Sequence, residues 1–250
     1  MLQYSPEDNI DVITLPELSF MNEDFDTFDE AYKHACVQGQ GPYYEWAKQT
    51  AIKFKSVVVH GYLERDEKER RLYNSMLIVS EKGEILKNYR KHLLYYTEVI
   101  YITPGPNYEY LDIKIARINQ VIRFGLAICN DIWTRGEKEY ELMEFANFHK
   151  ENNSQIILGI SNWPNYEIYQ DEQIMSYVQV SVWLNRMIPI FASGQTRQNK
   201  YLIWNNCCGR FNDQMRFVGS SCILQLTPQI KYVNKLNVTQ ESVLEQIIDL

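Results

Sequence analysis

The chain has 250 residues, of which 45% are hydrophobic and 23% are charged, and its formal net charge is −7 at pH 7. This composition allows a large buried core and excludes a disordered chain. The acidic balance argues against nucleic acid or a membrane surface as a partner, because both require a basic face.

The length of the chain predicts a single domain over residues 1–250. The sequence also predicts a reducing, cytoplasmic compartment, for the following reasons. No apolar run approaches the about 18 residues that cross a bilayer, and residues 1–10 lack the basic and apolar regions of a signal peptide. The cysteines are odd in number and form no C-x-x-C motif, which is typical of free thiols. The histidines at 34, 60, 92 and 149 are too far apart in sequence to indicate a metal site, and no cofactor is predicted.

Seven apolar runs rich in β-branched residues are predicted to be strands. They are residues 11–15, 56–62, 74–79, 122–129, 155–161, 201–204 and 218–224. Two segments between them have the i, i+3, i+4, i+7 spacing of an amphipathic helix. One face comprises Ala47, Thr50, Ala51 and Phe54, and the other comprises Leu142, Phe145, Ala146 and His149. This alternation predicts a layered α/β protein.

Residues 73–90 interrupt the alternation and are predicted to form a β-hairpin. The run S-E-K-G-E at 80–84 supplies Gly83 where a tight turn needs a positive φ. A second charged run, R-D-E-K-E-R-R at 65–71, alternates both signs. It is predicted to be a solvated hairpin tip rather than a binding patch.

Three predicted strands each end at a residue that could take part in chemistry. Glu17 follows the strand that ends at Pro16, Lys91 follows Arg90, and Cys129 ends the run F-G-L-A-I-C. Strand ends in layered α/β folds face a shared crevice, so that a carboxylate, an amine and a thiol could meet there.

Such a set would suit nucleophilic catalysis. A thiol is mostly protonated at neutral pH and needs a base or a nearby cation before it attacks a carbonyl. Glu17 could be that base, and Lys91 could be the cation and could also stabilise the resulting oxyanion. Taken singly, each residue also has a structural interpretation: Glu17 as a surface or helix-start carboxylate, Lys91 as a solvated strand end and Cys129 as buried packing.

Three motifs in this order resemble the catalytic motifs of the nitrilase, or carbon–nitrogen hydrolase, superfamily. They are L-P-E-L at 15–18, Y-R-K-H-L-L-Y-Y-T-E at 89–98 and A-I-C-N-D-I-W at 127–133. The intervening segments are similar as well, so that the resemblance extends over residues 11–250. The last two motifs, followed by E-Y-E-L-M-E-F-A at 139–146, most resemble the branch of protein N-terminal asparagine amidohydrolases.

The resemblance implies a four-layer αββα sandwich with Glu17 as general base, Lys91 as stabiliser of the tetrahedral intermediate and Cys129 as nucleophile. It also implies that Glu98 helps to orient the site and that the backbone N–H of Asn130 belongs to the oxyanion hole. The implied reaction is deamidation of an N-terminal Asn or Gln side chain of a protein or peptide, which would direct the product to N-terminus-dependent degradation.

The substrate implied by the resemblance carries a free α-ammonium group, which needs an acidic or carbonyl-rich recess. Asp131 is the nearest candidate acid, and the alternative for it is a structural carboxylate held by hydrogen bonds. Tyr95, Tyr96 and Trp133 could line the pocket, or they could belong to the core.

Two features depart from the family pattern. Sixteen residues precede Glu17, where members have a full first strand and helix, so that a truncated first strand and helix are expected. Cys207 stands where relatives have an arginine, and it and Cys208 are predicted to be structural. Two other functions therefore stay open: a small-molecule amidase or nitrilase of the same superfamily, and a non-catalytic binding or scaffold relative.

Overall fold

The computed structural model describes residues 4–21, 25–134, 137–165, 171–192, 197–211 and 215–250. The α-helices are α1 (Phe28–His34), α2 (Gly41–Phe54), α3 (Glu144–Glu151), α4 (Glu172–Asn185) and α5 (Ile188–Phe191). The strands are β1 (Val12–Thr14), β2 (Val57–Asp66), β3 (Arg71–Val79), β4 (Ile85–Arg90), β5 (Tyr110–Ile115), β6 (Gln120–Ile128), β7 (Ile156–Ser161), β8 (Pro164–Asn165), β9 (Lys200–Asn206), β10 (Arg216–Phe217), β11 (Cys222–Thr227) and β12 (Lys231–Lys235). Short 3-10 helices cover Pro6–Asp8, Glu98–Ile100, Cys129–Ile132 and Glu137–Leu142. Residues 1–3, part of the segment in which no first strand is expected, lie outside the described residues.

The chain divides into two units, each built around one main sheet, and the second unit also holds the two-stranded antiparallel sheet β10–β8. The predicted α/β class is confirmed. The first unit comprises Met1–Pro106 and Ile115–Asn119, and the second comprises Asn107–Lys114 and Gln120–Leu250. The first sheet has the order β1-β2-β3-β4, in which only the β1–β2 pair among the described strands is parallel. The second has the order β12-β11-β9-β7-β6-β5, with β6, β7 and β9 parallel to one another.

Helix α2 is the predicted amphipathic helix of the first unit. Its buried residues are the four predicted from the spacing: Ala47, Thr50, Ala51 and Phe54. The two alanines belong to one apolar cluster with Val58 of β2 and with Leu77 and Val79 of β3. The helix ends at Phe54, and the following residue, Lys55, has a φ of +53°, the left-handed conformation common at helix C-termini.

Both predicted hairpin features of the first unit are confirmed. Strands β3 and β4 are joined by a turn in which Gly83 has a φ of +80°, and the N–H of Ser80 donates to the carbonyl of Glu84 at 2.8 Å. The run at 65–71 forms the exposed tip between β2 and β3. Its charges neutralise one another there, as in the 3.1 Å ion pair between Arg71 and Glu69.

The central strands of the second unit are buried on both faces. Every residue of β7 is buried, which explains why its sequence is a continuous apolar run. Helices α3 and α4 contribute Phe145 and Trp183 to one core cluster with Trp204 of β9. Strand β6 is anchored in this sheet and ends directly before Cys129.

Two of the predicted elements are wrong in part. The segment 139–150 is not one helix, because a 3-10 turn ends at Leu142 and α3 begins at Glu144 after Met143, whose φ is +46°. Leu142 is therefore 53% exposed, whereas Phe145, Ala146 and His149 are buried as predicted.

The predicted strand 218–224 begins only at Cys222. The N–H groups that precede it bond outside the sheet: Val218 donates to the carbonyl of Trp163 and Gly219 donates to that of Cys207, both at 3.0 Å. Ser220 then has a φ of +61°, which is incompatible with an extended ladder.

Among the residues that the structure describes, no helix combines the length and the apolarity needed to cross a bilayer.

Candidate active site

Glu17 is placed by a close approach between its own segment and β2. Beyond β1 the chain stays beside β2, because the N–H of Gly61 donates to the carbonyl of Pro16 and the N–H of Ser19 donates to the carbonyl of Gly61. A Cβ on Gly61 would lie 2.6 Å from the Cα of Glu17, so that only glycine allows this approach. The Glu17 residue is 3% exposed, and its interpretation as a surface carboxylate is wrong.

Lys91 follows β4 and is also buried, so that its interpretation as a solvated strand end is wrong. Its N–H donates to the carbonyl of Asn74 at 2.8 Å, and its carbonyl accepts from the N–H of Gly105 at 2.7 Å. The side chain is 2% exposed. Its Nζ lies 2.8 Å from Oε1 of Glu17 and 2.8 Å from Oε2 of Glu98.

Glu98 is the first residue of the 3-10 helix Glu98–Ile100. Besides Lys91, its Oε2 accepts from the N–H of Tyr95 at 2.6 Å, which ties the side chain to its own turn. The first unit therefore brings three of the predicted site residues into contact: Glu17, Lys91 and Glu98.

Asn74 completes this group and was not predicted from the sequence. It lies buried on β3, where its Nδ2 donates to Oε1 of Glu17 at 2.7 Å and to Oε1 of Glu98 at 2.6 Å. The side-chain amide of Asn74 thus donates one hydrogen bond to each of the two carboxylates. The available sequence signal was an asparagine inside an apolar strand, where that residue type is disfavoured. We refer to Glu17, Asn74, Lys91 and Glu98 as the Glu17 cluster.

The Glu17 cluster places one ammonium group between two carboxylates away from bulk water. Each Lys91–carboxylate pair gains about 6 kcal/mol of Coulomb energy at 2.8 Å for an effective dielectric constant of about 20. Desolvation costs several kcal/mol for each ion and the carboxylates repel each other, so the net gain in folding free energy is small. Such an arrangement is a candidate for chemistry more than for stability.

A second polar group occupies the opposite face of the same strands. Oε2 of Glu64 accepts from Ser75 at 2.6 Å and from Asn88 at 2.7 Å, and Oε1 accepts from Arg90 at 2.5 Å. We refer to Glu64, Ser75, Asn88 and Arg90 as the Glu64 network. Because side chains alternate along a strand, this network fixes β2, β3 and β4 in the register that places Asn74 and Lys91 on the other face.

Cys129 is the first residue after β6 and begins the 3-10 helix Cys129–Ile132. The residue is buried and has a φ of +44°, a conformation that costs a non-glycine residue about 1–3 kcal/mol. Strained strand-to-helix turns are one way in which folds present a nucleophile, as in the G-x-S-x-G elbow. The strain therefore makes Cys129 a candidate for function rather than ordinary packing.

The residues after Cys129 have different environments. Asn130 is partly exposed. Asp131 is fully buried, and its Oδ2 accepts from the N–H of Ile128 at 2.8 Å, which favours the structural alternative over binding of a substrate ammonium group. The ring of Trp133 is partly buried and contacts that of Tyr140, with 5.4 Å between the centroids. In the first unit, Tyr96 is 84% exposed and does not belong to the core.

The segment that departs from the family pattern is held by Asn206. Its Oδ1 accepts from the hydroxyl of Ser161 at 2.5 Å and from the N–H of Trp163 at 2.7 Å, and its Nδ2 donates to the carbonyl of Gly219 at 2.9 Å. Cys207 follows and is half-buried. Burial raises the pKa of the neighbouring Cys208 thiol, which fits a structural residue.

The part of the chain that the structure describes contains no group of three or more His, Cys, Asp and Glu side chains arranged to hold a metal ion.

The predicted superfamily is confirmed by comparison with known proteins. The carbon–nitrogen hydrolase family model matches residues 2–250, and the chain belongs to this family. The prediction of one such domain over residues 1–250 stays a prediction.

Among characterised relatives, the protein N-terminal amidase of Saccharomyces cerevisiae (strain ATCC 204508 / S288c) is 29% identical over 184 residues. That match covers 66% of this chain and 39% of the yeast protein, so that the chain spans about two fifths of its relative. A crystal structure of N-terminal amidase with a Gln-Gly peptide is similar with a TM-score of 0.79 at 17% identity, and one with an Asn-Glu peptide with a TM-score of 0.76 at 17% identity. Both matches cover 92% of this chain and 86% of the other, and they establish the fold.

Proposed function

We propose that the protein hydrolyses the side-chain carboxamide of an N-terminal Asn or Gln of peptides and proteins, releasing ammonia and leaving Asp or Glu. The product would be recognised by degradation that depends on the N-terminal residue. The observation that carries the proposal is the buried ammonium group of Lys91 between two carboxylates, in a chain of the carbon–nitrogen hydrolase family. Similarity to an N-terminal amidase with Gln-Gly and Asn-Glu peptides supports this substrate class.

In the first half of the proposed reaction, the sulfur of Cys129 attacks the carbonyl carbon of the carboxamide, and Glu17 takes up the thiol proton. The negative charge that forms on the carbonyl oxygen is stabilised by Lys91 and by the backbone N–H of Asn130. Such donors are worth about 3–4 kcal/mol each. Glu17 then gives its proton to the departing nitrogen, so that ammonia leaves and a thioester remains.

In the second half, water attacks the thioester. Glu17 takes a proton from the water, the carbon–sulfur bond breaks, and the proton returns to the sulfur of Cys129. The balance is one amide and one water consumed, and one carboxylic acid and one ammonia produced. No cofactor takes part in this scheme.

The contacts of the Glu17 cluster match these roles. A base that gives and takes a proton must keep one orientation, and Oε1 of Glu17 is held by both Asn74 and Lys91. Glu98 holds the same two partners from the other side, through Oε1 and Oε2. The four side chains therefore restrain one another, as a preorganised site requires.

Ammonia release from defined peptides tests the proposal. We expect release from a tripeptide that begins with Asn or Gln, and none from the same peptides with an acetylated N-terminus or an initial alanine. Cys129→Ala and Glu17→Gln should abolish release, whereas Cys207→Ala, which removes a half-buried thiol outside the proposed machinery, should not.

Three outcomes would contradict the proposal. Equal release from acetylated peptides, or release unaffected by Cys129→Ala, would remove the N-terminal specificity or the nucleophile. Release only from free asparagine, glutamine and simple amides would indicate a small-molecule amidase. A folded protein that releases ammonia from none of them would indicate a binding or scaffold relative.

A further inference from the structure

Arg186 directly follows helix α4 and is a buried cation of unusual environment. The residue is 1% exposed. Its guanidinium group donates to three backbone carbonyls, those of Ile132 at 2.7 Å, Tyr140 at 2.7 Å and Trp133 at 3.3 Å. Within the described ranges, no carboxylate lies within ion-pair distance of it.

A guanidinium group without an anionic partner is expensive to bury. Arginine is almost never fully buried unless it is paired, and desolvation of such an ion costs several kcal/mol. The three carbonyls offset part of this cost, as do the aromatic rings of Tyr140 and Trp133, whose centroids lie 4.6 Å and 5.5 Å from the central carbon of the group. An apolar side chain would avoid the desolvation of the ion but would leave the three carbonyls without this donor, so that holding these carbonyls is what the guanidinium group accomplishes here.

The carbonyls that Arg186 binds belong to the turn that begins at Cys129. We define the Cys129 turn as residues 129–133. Ile132 is the last residue of its 3-10 helix and Trp133 is the residue that caps it, with its N–H donating to the carbonyl of Asn130 at 2.8 Å.

The Cys129 turn is thus held at two points. Asp131 fastens its start through the N–H of Ile128, and Arg186 fastens its end through the carbonyls of Ile132 and Trp133. The third carbonyl, that of Tyr140, connects the same guanidinium group to the following 3-10 helix. A positive φ at a non-glycine residue persists only where the surroundings over-determine it, and Arg186 supplies part of that constraint.

We propose that Arg186 is a positioning residue that locks the Cys129 turn in the conformation in which the Cys129 thiol reacts. The proposal rests on the role of Cys129 as nucleophile in the proposed function. Arg186 acts through backbone carbonyls, and its planar group is what allows one side chain to reach three of them.

Arg123 on β6 is a matched control in the same unit. Its guanidinium group also donates to a backbone carbonyl, that of Asn152 at 2.8 Å, and also lies over an aromatic ring, that of Tyr110 at 4.2 Å. Unlike Arg186, it is neutralised by a bidentate pair with Asp112. It lies on β6 several residues before Cys129, outside the Cys129 turn.

The test compares Arg186→Gln, Arg186→Lys and Arg123→Gln in the full chain. The rate at which iodoacetamide alkylates Cys129 is measured by mass spectrometry of the Cys129 peptide, with the Cys222 peptide as internal reference for unfolding, since Cys222 is fully buried. The same variants are assayed for kcat and KM on a tripeptide that begins with Asn.

We expect Arg186→Gln to slow alkylation of Cys129 at least about 10-fold and to lower kcat about 100-fold, the scale associated with a misplacement of 1 Å. KM should change less than about 3-fold, because the substrate contacts remain. Arg186→Lys keeps the charge but loses the planar group, so that we expect a loss of about 10-fold in kcat. Arg123→Gln should lower the melting temperature and leave both rates within about 2-fold, because the Cys129 turn is untouched.

Unchanged alkylation of Cys129 in folded Arg186→Lys would overturn the proposal, as would equal losses in the Arg186 and Arg123 variants. A wild-type Cys129 that reacts no faster than Cys222 would overturn it together with the nucleophile role. Alkylation requires no substrate, so it tests the role of Arg186 independently of the proposed function. If the wild type does not deamidate Asn-initiated peptides but Arg186→Gln still slows alkylation of Cys129, the proposed function is wrong and the positioning role of Arg186 stands.

Discussion

The main-chain N–H of Lys91 donates to the main-chain carbonyl of Asn74, which makes these two residues neighbours on adjacent segments of one sheet. Their side chains then meet the same two carboxylates, those of Glu17 and Glu98. Asn74 carries no charge, yet it contacts both carboxylates of the Glu17 cluster, as Lys91 does.

We expect Asn74→Ala to lower kcat/KM for an Asn-initiated peptide by about 10- to 100-fold. Hydrogen bonds to charged groups contribute about 1.5–3 kcal/mol, and this substitution removes one from each carboxylate. Asn88→Ala is the matched control, because Asn88 also donates to a glutamate on the same sheet but belongs to the Glu64 network. Steady-state kinetics and urea unfolding of both variants check the prediction. Similar kinetic losses in the two variants would mean that Asn74 acts only through the stability of the sheet.

Removal of Lys91 should destabilise the protein more than removal of one of its partners. Lys91→Met leaves the carboxylates of Glu17 and Glu98 buried without a counter-charge, and breaking a buried pair in this way costs about 3–5 kcal/mol. Glu98→Gln leaves the Lys91–Glu17 pair intact and should cost less. The free energies of unfolding at pH 7, with the double variant completing the cycle, measure the coupling. Additive losses would argue against a direct interaction.

Gly61→Ala should impair catalysis through the backbone of Glu17. The new Cβ would lie 2.6 Å from the Cα of Glu17 and 2.5 Å from the nitrogen of Leu18, so that one of the two segments must move. We expect a loss of about 100-fold in kcat, the scale for a displaced catalytic group. Gly83→Ala is the control, since it strains the β3–β4 turn, where φ is +80°, and leaves the Glu17 segment in place. Full activity in Gly61→Ala would contradict this account of how Glu17 is positioned.

His149 should make the folded protein sensitive to acid. Burial lowers the pKa of this histidine from 6.5 to about 3, so that the folded state excludes a proton that the unfolded chain binds. Stability from this source is complete above pH 6.5 and falls as the pH drops towards the folded-state value, by up to about 1.4 kcal/mol per pH unit. Urea unfolding between pH 7 and 4.5 should therefore show a weaker pH dependence in His149→Asn than in the wild type. The control, His34→Asn at an exposed position, should follow the wild type, and parallel curves for His149→Asn would refute the assignment.

Much of the fold could be predicted because several elements carry strong local patterns. Helix α2 shows one apolar face, the β3–β4 hairpin has its glycine at the turn, and β7 is a continuous apolar run. Helix α4 was missed because apolar residues surround it: Met175 and Trp183 are buried while Ile174 and Tyr177 are exposed, so that no single face stands out. Strand β12 (K-Y-V-N-K) was missed because its polar edge sequence resembles a loop.

For the candidate site, the strand ends and the resemblance to a family pointed to Glu17, Lys91 and Cys129, and the structure brings Glu17 and Lys91 into contact. Asn74 and Arg186, which the resemblance did not supply, could not be given a role from the sequence, because each role is defined by partners far away in sequence. Asn74 meets Glu17 across 57 positions, and Arg186 meets Ile132 across 54. A single sequence does not reveal such long-range contacts. Its local patterns indicate which residues are neighbours along one strand or helix, but not which distant segments come into contact.

The alternation between the Glu17 cluster and the Glu64 network ties the proposed activity to correct assembly of the sheet. Asn74 and Ser75 are adjacent in sequence, as are Lys91 and Arg90, yet each pair is split between opposite faces of the sheet. If β3 slipped by one position during folding, Ser75 would replace Asn74 beside the two carboxylates and Glu64 would lose its hydrogen bond from Ser75 in the same event. A chain with this misalignment would therefore be less stable and would lack the proposed activity. Cellular quality control could remove such a chain because of its instability alone.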